Sequence, residues 1–521
     1  MLASLLDGYH DRNYVVQGFT HGFDLGIDCE KTIKSSSPTC FARNELFEKL
    51  GQELEKGYLL GPFDQLPLED LVTSPICVVP KSNGKWRLIF NLSDPVNFSV
   101  NDAIPEAKKT VQYCSVNEVA TFIARRFRHL QPYLSKIDLK DAYRMVPIKK
   151  DQWKYLGMNI RGQYLIDRCL PMGAASSCQI FQRISDSIKW MVTNSSPSKI
   201  IIFNYLDDFL LLAKNQSEGI LATNHFLIVA EKLGLPISHD KVTFPTQSIT
   251  FLGVGLNTAT KSLYIPPEKV HKAKSMLGSF LEQKRPKIGL WQKLLGTLCH
   301  LAQVIPAGRA HLNYLYGTLQ GILSSQKNLR RRVSASARIE LQLWQSFLNN
   351  NPGRPFRMVD NAYPADFKIV TDASQSFGYG AVFGEQWFWG AWPDKTWSQL
   401  NIAFLELYPI YAAIKLWEDH FSGHTVVVKT DNHALVSVIN KLHAKNSMLN
   451  QLTKKLALLC MTSDIHLIAH HLAGNLNTKA DMLSRGQISD FRKKFPQMNS
   501  QPTLLAPSLL PESLNNLICK A

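Results

Sequence analysis

Two adjacent aspartates interrupt a long apolar run, and no other feature of the chain restricts its fold as strongly. The run is KIIIFNYLDDFLLLAK, residues 199–214, with Asp207 and Asp208 near its centre. Apolar flanks favour burial and Asp tolerates a tight turn, so the pattern predicts two strands joined at the acidic pair. Neighbouring carboxylates repel each other, and a magnesium ion, which prefers oxygen ligands, removes that repulsion. The alternative is a solvated Asp-Asp turn.

A third aspartate ends another strand-like stretch. Asp138 lies in SKIDLKDAY, residues 135–143, where it follows the apolar residues Leu134 and Ile137. This setting allows Asp138 to converge on the same metals as Asp207 and Asp208. Two metal ions that clamp the attacking and leaving oxygens are the usual device for nucleotidyl transfer.

The C-terminal part contains a second set of acids. Asp372 follows the apolar stretch FKIVT, and Asp431 follows TVVVKT, while Glu406 lies on a helix-like segment between them and Asp481 lies in NTKADMLSR. Each of these acids taken alone is more often structural than catalytic. Together, carboxylates at the ends of neighbouring strands converge on one edge of a sheet. Pro409 is unfavourable well inside a helix, so we expect the helix to begin near Glu406.

Charge and length restrict the class of protein. The 521 residues exceed one ordinary core, which predicts two or more domains, and 58 Lys and Arg against 42 Asp and Glu give a net charge of +16. Such a surplus fits either a nucleic-acid-binding protein or an ordinary basic enzyme. The nine cysteines form no C-x-x-C pair, and no signal peptide or transmembrane stretch is evident. The sequence therefore predicts an intracellular protein, in the cytoplasm or nucleus, with reduced thiols and no membrane partner.

The pattern of elements indicates an α/β (α+β) chain. Residues 44–58 have helical spacing after a possible Asn cap, and residues 76–79 and 86–91 predict a hairpin that carries basic residues. Residues 135–255 alternate strand-like and helical runs, and the chain beyond Pro266 is mainly helical. A stretch rich in Asn, Pro and Gly places a domain boundary near residue 360. Strands and helices alternate again after it.

The segments around Asp138 and Asp207 resemble motifs A and C of reverse transcriptases, the second in its Tyr-x-Asp-Asp form. The resemblance implies that Asp138 and Asp207 hold both catalytic metals and that Asp208 assists. Tyr143 then lies at the steric gate that selects deoxynucleotides, although a core aromatic is the alternative.

Other segments follow in the order of the same family. PKSNGKWRLIFNLSDPVN, residues 80–97, resembles the fingers hairpin that clamps the triphosphate, which implies that Lys81, Lys85 and Arg87 bind substrate; a solvated basic face is the alternative. LPMGAASSCQIFQ, residues 170–182, resembles motif B, where Gly173 lets the backbone approach template and incoming base and Gln182 lies on the following helix. The resemblance implies that both residues bind substrate.

Three further positions bear on the same resemblance. Met172 stands where many retroviral enzymes have a Gln beside the nucleotide sugar. Lys241, in GLPISHDKVTF, resembles the motif D lysine that protonates the leaving pyrophosphate, with a surface lysine as the alternative. FLGVGL, residues 251–256, resembles the primer grip, so the helical stretch after Pro266 would be the thumb.

The order Asp372, Glu406, Asp431, Asp481 resembles ribonuclease H. This resemblance implies two Mg²⁺ per active site, with Mn²⁺ as the alternative ion, and hydrolysis of the RNA strand of an RNA:DNA hybrid. The family often has a histidine in the loop before the last Asp. Here His470 and His471 lie upstream and Asn475 is nearer the expected place, so we assign no loop histidine.

Together the resemblances predict a right-hand polymerase fold followed by a ribonuclease H-like α/β domain. The predicted parts are an N-terminal extension (1–43), fingers and palm (44–265), thumb or connection (266–350), linker (351–364), ribonuclease H-like domain (365–490) and C-terminal tail (491–521). The implied partners are an RNA template, a DNA primer, an RNA:DNA hybrid and dNTPs.

The segments LELYPI and KADMLSR are most similar to DIRS-type retroelements and next to Gypsy-like ones. The alternative is a domesticated or decayed copy that only binds nucleic acid. All seven acids are present, which favours the enzyme.

Overall fold

The structure is a computed structural model that describes residues 1–39, 44–80, 84, 86–323, 326–350, 353–356 and 367–518. Lys81 and Lys85 lie outside the described residues. The chain divides into two compact units, and the following segments belong to the first: Met1–Val119, Arg126–Leu252 and Leu256–Ala259. The second unit contains the following segments: Ala120–Arg125, Gly253–Gly255 and Thr260–Ala521.

Helices and strands alternate through the chain as far as residue 259. The helices are α1 (Leu2–Leu5), α2 (Arg12–His21), α3 (Asn44–Glu55), α4 (Val116–Arg126), α5 (Ser177–Ser195) and α6 (Gln216–Lys232). The strands are β1 (Leu59–Phe63), β2 (Ile76–Pro80), β3 (Trp86–Phe90), β4 (Tyr133–Asp138), β5 (Gly157–Ile160), β6 (Gln163–Asp167), β7 (Ile201–Tyr205), β8 (Asp208–Ala213), β9 (Thr243–Thr246), β10 (Ser248–Phe251) and β11 (Val254–Asn257).

The central sheet of the first unit runs in the order β7, β8, β4, β9. Its apolar side chains are buried because helix α5 packs on β7 and helix α6 packs on β8. The predicted basic hairpin is confirmed, since β2 and β3 pair antiparallel with Val79 opposite Arg87. The predicted helix at residues 44–58 is also present, but it ends at Glu55.

The N-terminal extension is part of the core of the first unit. Leu6, Val15 and Phe23 are buried in the same apolar cluster as the inner face of α5. Asp11, the residue before α2, forms a bidentate pair with Arg183 of α5 at 2.6 and 2.7 Å. The N-terminal segment therefore supports the helix that packs behind the central sheet.

The second unit contains the remaining elements. Its helices are α7 (Pro267–Glu282), α8 (Ile288–Leu301), α9 (Asn313–Gly317), α10 (Ala335–Asn349), α11 (Ile402–Leu416), α12 (Glu418–Phe421), α13 (His433–Lys441), α14 (Ser447–Thr462), α15 (Thr478–Ser484), α16 (Ile488–Lys494) and α17 (Asn515–Ile518). Its strands are β12 (Ser262–Tyr264), β13 (Arg354–Pro355), β14 (Phe367–Ala373), β15 (Gly378–Phe383), β16 (Gln386–Ala391), β17 (Thr425–Thr430) and β18 (His466–His471).

The main sheet of this unit runs in the order β16, β15, β14, β17, β18. Strands β14, β17 and β18 are parallel, whereas β15 and β16 are antiparallel to their neighbours. Helix α11 begins at Ile402, a full turn before Glu406, so the expectation that it begins near Glu406 was wrong. Pro409 removes one helical hydrogen bond, but nearly every side chain of α11 is buried, and this packing offsets the loss.

Both edges of this sheet are covered. Beside β16, the Asn499 and Thr503 amides donate to the Glu385 and Trp387 carbonyls at 2.9 and 2.7 Å. Beside β18, the side chain of Asn440 bonds both the amide and the carbonyl of Ala469 at 2.9 Å. The segment predicted as a C-terminal tail thus packs on the domain, as the burial of Leu514 in the main apolar cluster also shows.

A buried ion pair joins the helical segment to the α/β segment within the second unit. Glu340 of α10 is 1% exposed, and its Oε1 lies 2.7 Å from Lys454 Nζ of α14. Its Oε2 accepts from the amides of Tyr314 and Leu315 at 3.0 and 3.2 Å. Glu340 therefore satisfies three donors at once.

No helix in the described ranges is long and apolar enough to cross a membrane. The cysteines in those ranges are all free thiols, as the sequence predicts.

We expect Glu340→Ala to lower the free energy of unfolding by about 3 kcal/mol, because it leaves the Lys454 charge and two buried amides without their acceptor. The measurement is urea unfolding at pH 7. Glu282→Ala is the matched control, since Glu282 is exposed on α7. Equal effects of the two substitutions would show that the buried pair does not hold the segments together.

Candidate active sites

The first acidic group lies where three strands of the central sheet end. Asp138 is the last residue of β4 and pairs with Asp208, the first residue of β8, which in turn pairs with Tyr205 at the end of β7. Leu206 and Asp207 therefore form the tip of the β7–β8 hairpin. Leu206 has a φ of 51°, a left-handed conformation that is costly for a branched side chain. The hairpin that the sequence predicts, with both aspartates at its tip, is confirmed.

Burial and mutual repulsion dominate the electrostatics of this group. Burial, together with the charges of Asp208 and Asp138, raises the pKa of Asp207 to about 6. Burial also raises the pKa of Asp208. Lys241 Nζ lies 2.7 Å from Asp138 Oδ2, and Lys136 Nζ lies 3.5 Å from Asp208 Oδ1. Two lysines thus offset part of the negative charge.

These acids suit a divalent cation but do not enclose one. Within the ranges that the structure describes, no three acidic, histidine or cysteine side chains stand close enough together to hold a single ion. Asp138, Asp207 and Asp208 would hold a magnesium ion here only together with oxygen ligands from water and substrate, which is how Mg²⁺ usually binds at such sites. The convergence of three carboxylates at the ends of paired strands favours a cation, whose charge would relieve the repulsion that also raises the pKa values of Asp207 and Asp208.

The left-handed turn is held by side chains from α5. The Leu206 amide donates to Gln182 Oε1 at 3.0 Å, and the Leu206 carbonyl accepts from Ser185 Oγ at 2.6 Å. Asn204 donates to Ser185 Oγ and Asp186 Oδ1 at 3.0 and 2.7 Å, and Gln182 also donates to Asp186 Oδ1 at 3.0 Å. Gln182, predicted to contact substrate, therefore holds the backbone of the acidic turn. Sequence reasoning missed Ser185, Asp186 and Asn204.

Tyr143 lies in a 3₁₀ turn, Ala142–Met145, shortly after Asp138. It is 8% exposed, its ring stacks on Phe181 at a centroid distance of 4.8 Å, and its hydroxyl lies 3.5 Å from Cys178 Sγ. Burial raises its pKa, and the charge of Asp207 adds to that shift. The ring thus makes core contacts and is also close enough to Asp207 to sense its charge. Its role as a gate stays a prediction.

Gly173 is required by the protein's own backbone. A Cβ at this position would lie 1.9 Å from the carbonyl oxygen of Phe90, which ends β3. Asn101 fixes the same segment, donating to the Gly173 carbonyl at 2.9 Å and accepting from the Ala175 amide at 2.8 Å. The segment with Gly173 is therefore fastened to the strand that carries Arg87, whose side chain is exposed.

The second acidic group forms at one edge of the main sheet of the second unit. Asp372 lies near the end of β14, and Asp431 directly follows the parallel neighbour β17. Glu406 lies on α11 and Asp481 on α15. Ser484 donates to Asp372 Oδ2 at 2.6 Å, which fixes one carboxylate.

These four carboxylates are close enough to influence one another. Burial, together with the charges of Asp431 and Asp372, raises the pKa of Glu406 to about 7. Burial also raises the pKa of Asp372, with Asp431 and Asp481 contributing. Glu406 Oε2 is buried and has no hydrogen-bond partner among the described residues. An orphaned carboxylate oxygen among other acids is what a cation site presents before its ion is bound.

The loop before Asp481 approaches this group from one side. A Cβ on Gly474, in the 3₁₀ turn Gly474–Leu476 that contains Asn475, would lie 3.3 Å from Asp431 Oδ2. His471 stacks on His433 with a centroid distance of 3.7 Å and an interplanar angle of 7°. The sequence analysis did not identify this pair. In the β17–β18 register His471 lies beside Thr430, the residue before Asp431, so the pair is close to the second acidic group.

Residues 79–256 match the protein family described as "Reverse transcriptase (RNA-dependent DNA polymerase)". The Gag-Pro-Pol polyprotein of Human T-cell leukemia virus 3 is 26% identical over 262 residues, which cover 49% of this chain and 16% of that protein. The Transposon Tf2-3 polyprotein of Schizosaccharomyces pombe is 22% identical over 428 residues, covering 79% of this chain and 29% of that protein. The chain thus spans less than a third of either relative.

Solved structures of a foamy viral protease-reverse transcriptase are similar in fold. The complex with an RNA/DNA hybrid has a TM-score of 0.52 and 18% identity, covering 91% of this chain and 60% of that one. The complex with double-stranded DNA has a TM-score of 0.50 and 17% identity, covering 91% and 93%. The predicted α/β class with a polymerase fold is confirmed, whereas the ribonuclease H-like fold of the C-terminal part stays a prediction.

We expect Glu406→Gln to stabilise the protein at high pH. The folded pKa of Glu406, about 7, exceeds that of an unfolded Glu, so the ionised group costs stability above pH 7 and the cost fades as the pH falls toward about 4. Removing the charge should add up to about 3 kcal/mol to the free energy of unfolding at pH 8 and little at pH 4.5. Urea unfolding at both pH values measures this.

The control is Glu282→Gln on the exposed face of α7, which should change stability equally at the two pH values. If Glu406→Gln also had the same effect at pH 4.5 and pH 8, the raised pKa would be wrong.

Proposed function

We propose that this chain, whose residues 79–256 form a reverse transcriptase domain of the kind found in retroelement polyproteins, is an RNA-directed DNA polymerase that also cleaves RNA:DNA hybrids. The observation that carries the proposal is the juxtaposition of Asp138 and Asp208 on paired strands beside Asp207 at a fixed turn. RNA template, DNA primer and dNTPs are the proposed substrates. Complexes of a similar fold with hybrid and duplex support them.

In the polymerase reaction the protein orients oxygen atoms and balances charge. Bound Mg²⁺ would supply Lewis-acid activation of the primer 3′-hydroxyl and charge stabilisation at the leaving pyrophosphate. Asp138, Asp207 and Asp208 would hold these ions, while Lys136 and Lys241 limit their mutual repulsion. Lys241 is tied to Asp138 at 2.7 Å, and the hydrogen bond raises its pKa, so it stays protonated and can donate toward a phosphate oxygen.

Substrate selection is assigned to the elements around these acids. Arg87 on the exposed hairpin, together with Lys81 and Lys85, would bind the triphosphate. Tyr143, whose ring is held in place by stacking on Phe181, would exclude a ribose 2′-hydroxyl. Gly173 would let its segment approach the template closely, because the absence of a side chain allows its backbone to pack against Phe90.

The hybrid-cleaving reaction is assigned to the second acidic group. Asp372, Glu406, Asp431 and Asp481 would hold two Mg²⁺, and the buried Glu406 Oε2 without a partner supports this. Ser484 keeps Asp372 oriented through its 2.6 Å hydrogen bond. The raised pKa of Glu406 means that the carboxylate is fully charged only above pH 7, so we expect metal binding to strengthen as the pH rises through 7.

The type of retroelement is a separate proposal. LELYPI lies in α11 and KADMLSR in and beside α15, and from these segments we infer a DIRS-type retroelement, with a Gypsy-like one as the second choice. A domesticated copy that only binds nucleic acid is the competing function. Both acidic groups hold their carboxylates in place, which supports the enzyme.

The two activities should separate by single substitutions. We expect Asp207→Asn to abolish Mg²⁺-dependent dNTP incorporation on an RNA template while hybrid cleavage continues, because only the first acidic group loses a charge. Asp431→Asn should do the reverse. Primer extension and hybrid cleavage, assayed on the same full-length preparations, measure both. Normal polymerisation by the Asp207→Asn protein would refute the polymerase assignment.

The hydrogen bond from Ser185 to Leu206 should matter for polymerisation rate. We expect Ser185→Ala to lower kcat for dNTP incorporation about tenfold, because a lost hydrogen bond of about 1.4 kcal/mol loosens the turn that positions Asp207. Ser187→Ala is the matched control, since Ser187 is equally buried on α5 but bonds only its own helix. Similar kcat values for the two variants would contradict a positioning role, and hybrid cleavage should change in neither.

A further inference from the structure

Two segments of the second unit pair to form a basic ribbon, which we define as residues 284–289 and 327–333. The ribbon joins the end of α7 to the start of α8 and leads into α10. The Ile288 amide donates to the Leu329 carbonyl at 2.7 Å, and the Arg331 and Val333 amides donate to Pro286 and Lys284 at 3.1 Å. Lys287 and Arg330 are antiparallel bridge partners. Residues about forty positions apart are therefore held side by side.

One face of the basic ribbon is apolar and the other is cationic. Pro286, Ile288 and Val333 are buried against the helices. All the cationic side chains of these two segments are exposed: Lys284, Arg285, Lys287, Lys327, Arg330, Arg331 and Arg332. Neither segment contains an Asp or Glu. The basic ribbon thus concentrates positive charge that its own residues do not neutralise.

The frame that carries these cations is fixed. Arg330 Nη1 donates to the Arg285 carbonyl at 3.1 Å, across the ribbon. The Gly289 amide, at the start of α8, donates to the Lys327 carbonyl at 2.9 Å. Arg338 of α10 donates to the Leu281 carbonyl at 2.7 Å, and Ser334 caps α10. The side chains are therefore presented from a paired backbone with little freedom to rearrange.

We propose that the basic ribbon binds the sugar–phosphate backbone of nucleic acid, through residues that belong to neither acidic group. This inference rests on the proposed function, which supplies a nucleic acid to the chain. A polyanion with regularly spaced charges matches cations spread along two extended segments, each at most about 25 Å long. Arginine forks also bind phosphate oxygens in pairs.

The paired backbone argues against another reading of such a sequence. A basic stretch can serve as an extended peptide ligand for a transport receptor, but that requires free backbone amides and carbonyls. Here the Ile288, Gly289, Arg331 and Val333 amides are already bonded within the basic ribbon. A partner must therefore bind through the exposed cationic side chains, which are suited to phosphate groups.

The test is the salt dependence of hybrid binding by the full chain, measured by fluorescence anisotropy without divalent metal so that no hybrid is cleaved. We expect Arg330→Ala/Arg331→Ala/Arg332→Ala to weaken binding of a 20-base-pair RNA:DNA hybrid roughly tenfold near 0.1 M salt. The slope of log affinity against log salt should become less steep by about 2 to 3, at about 0.9 for each lost phosphate contact. A second variant on the facing segment, Lys284→Ala/Lys287→Ala, should reduce the slope by about 2.

Two controls separate the basic ribbon from the general field of the protein. Lys395→Ala/Lys493→Ala/Lys494→Ala removes as many exposed charges elsewhere in the second unit and should leave the slope nearly unchanged. Arg330→Lys/Arg331→Lys/Arg332→Lys keeps the charge and should retain most of the affinity. Thermal unfolding checks that each variant is folded.

The proposal is overturned if the ribbon variants and the control variant change the slope equally. It is also overturned if the ribbon variants bind the hybrid normally but lose binding to vesicles containing anionic lipid. Failure of the proposed function gives a different result, because the unaltered chain would then neither extend a primer nor cleave a hybrid when Mg²⁺ is added, whatever its binding slope.

Discussion

Carboxylates held close together and away from water repel each other, and both sheets place such groups at the ends of paired strands. In the first unit burial and the charges of Asp208 and Asp138 raise the pKa of Asp207, and Lys241 only partly offsets this shift. The rest of the unit keeps these acids from moving apart. Helix α5 bonds both backbone groups of Leu206, and the N-terminal helix α2 packs behind α5. The clustered acids lower the stability of the folded chain, and packing in the surrounding core offsets this loss, as is usual for functional sites.

The strands that the sequence predicted correctly are those marked by residues that are neighbours along the chain. Apolar runs that stop at Asp138, Asp207, Asp372 and Asp431 identify strands and the polar residues at their ends, and those positions were found correctly. The side chains that fix the turn could not be found this way. Ser185, Asp186 and Asn204 are ordinary polar residues in their own segments, and only tertiary packing brings them to Leu206. The start of α11 was misplaced for a similar reason, since burial outweighs the effect of Pro409.

The second unit carries both the basic ribbon and the second acidic group. The Glu340–Lys454 pair fastens the helical segment to α14, so the basic ribbon and the second acidic group belong to one packed body. The role of an arginine cluster, or of an acid at the end of a strand, can be inferred only when the residues that pack around it are known.

The covering of the main sheet's edges in the second unit has a consequence for how the domain can be shortened. If residues 499–503 were absent, the carbonyl of Glu385, just before β16, and that of Trp387, within β16, would lose the amides that bond them. Such an open edge is a template for strand exchange between molecules and for aggregation. Proteolytic removal of residues 499–503 and of those after them would remove none of the seven acids, yet it would open an edge that favours self-association.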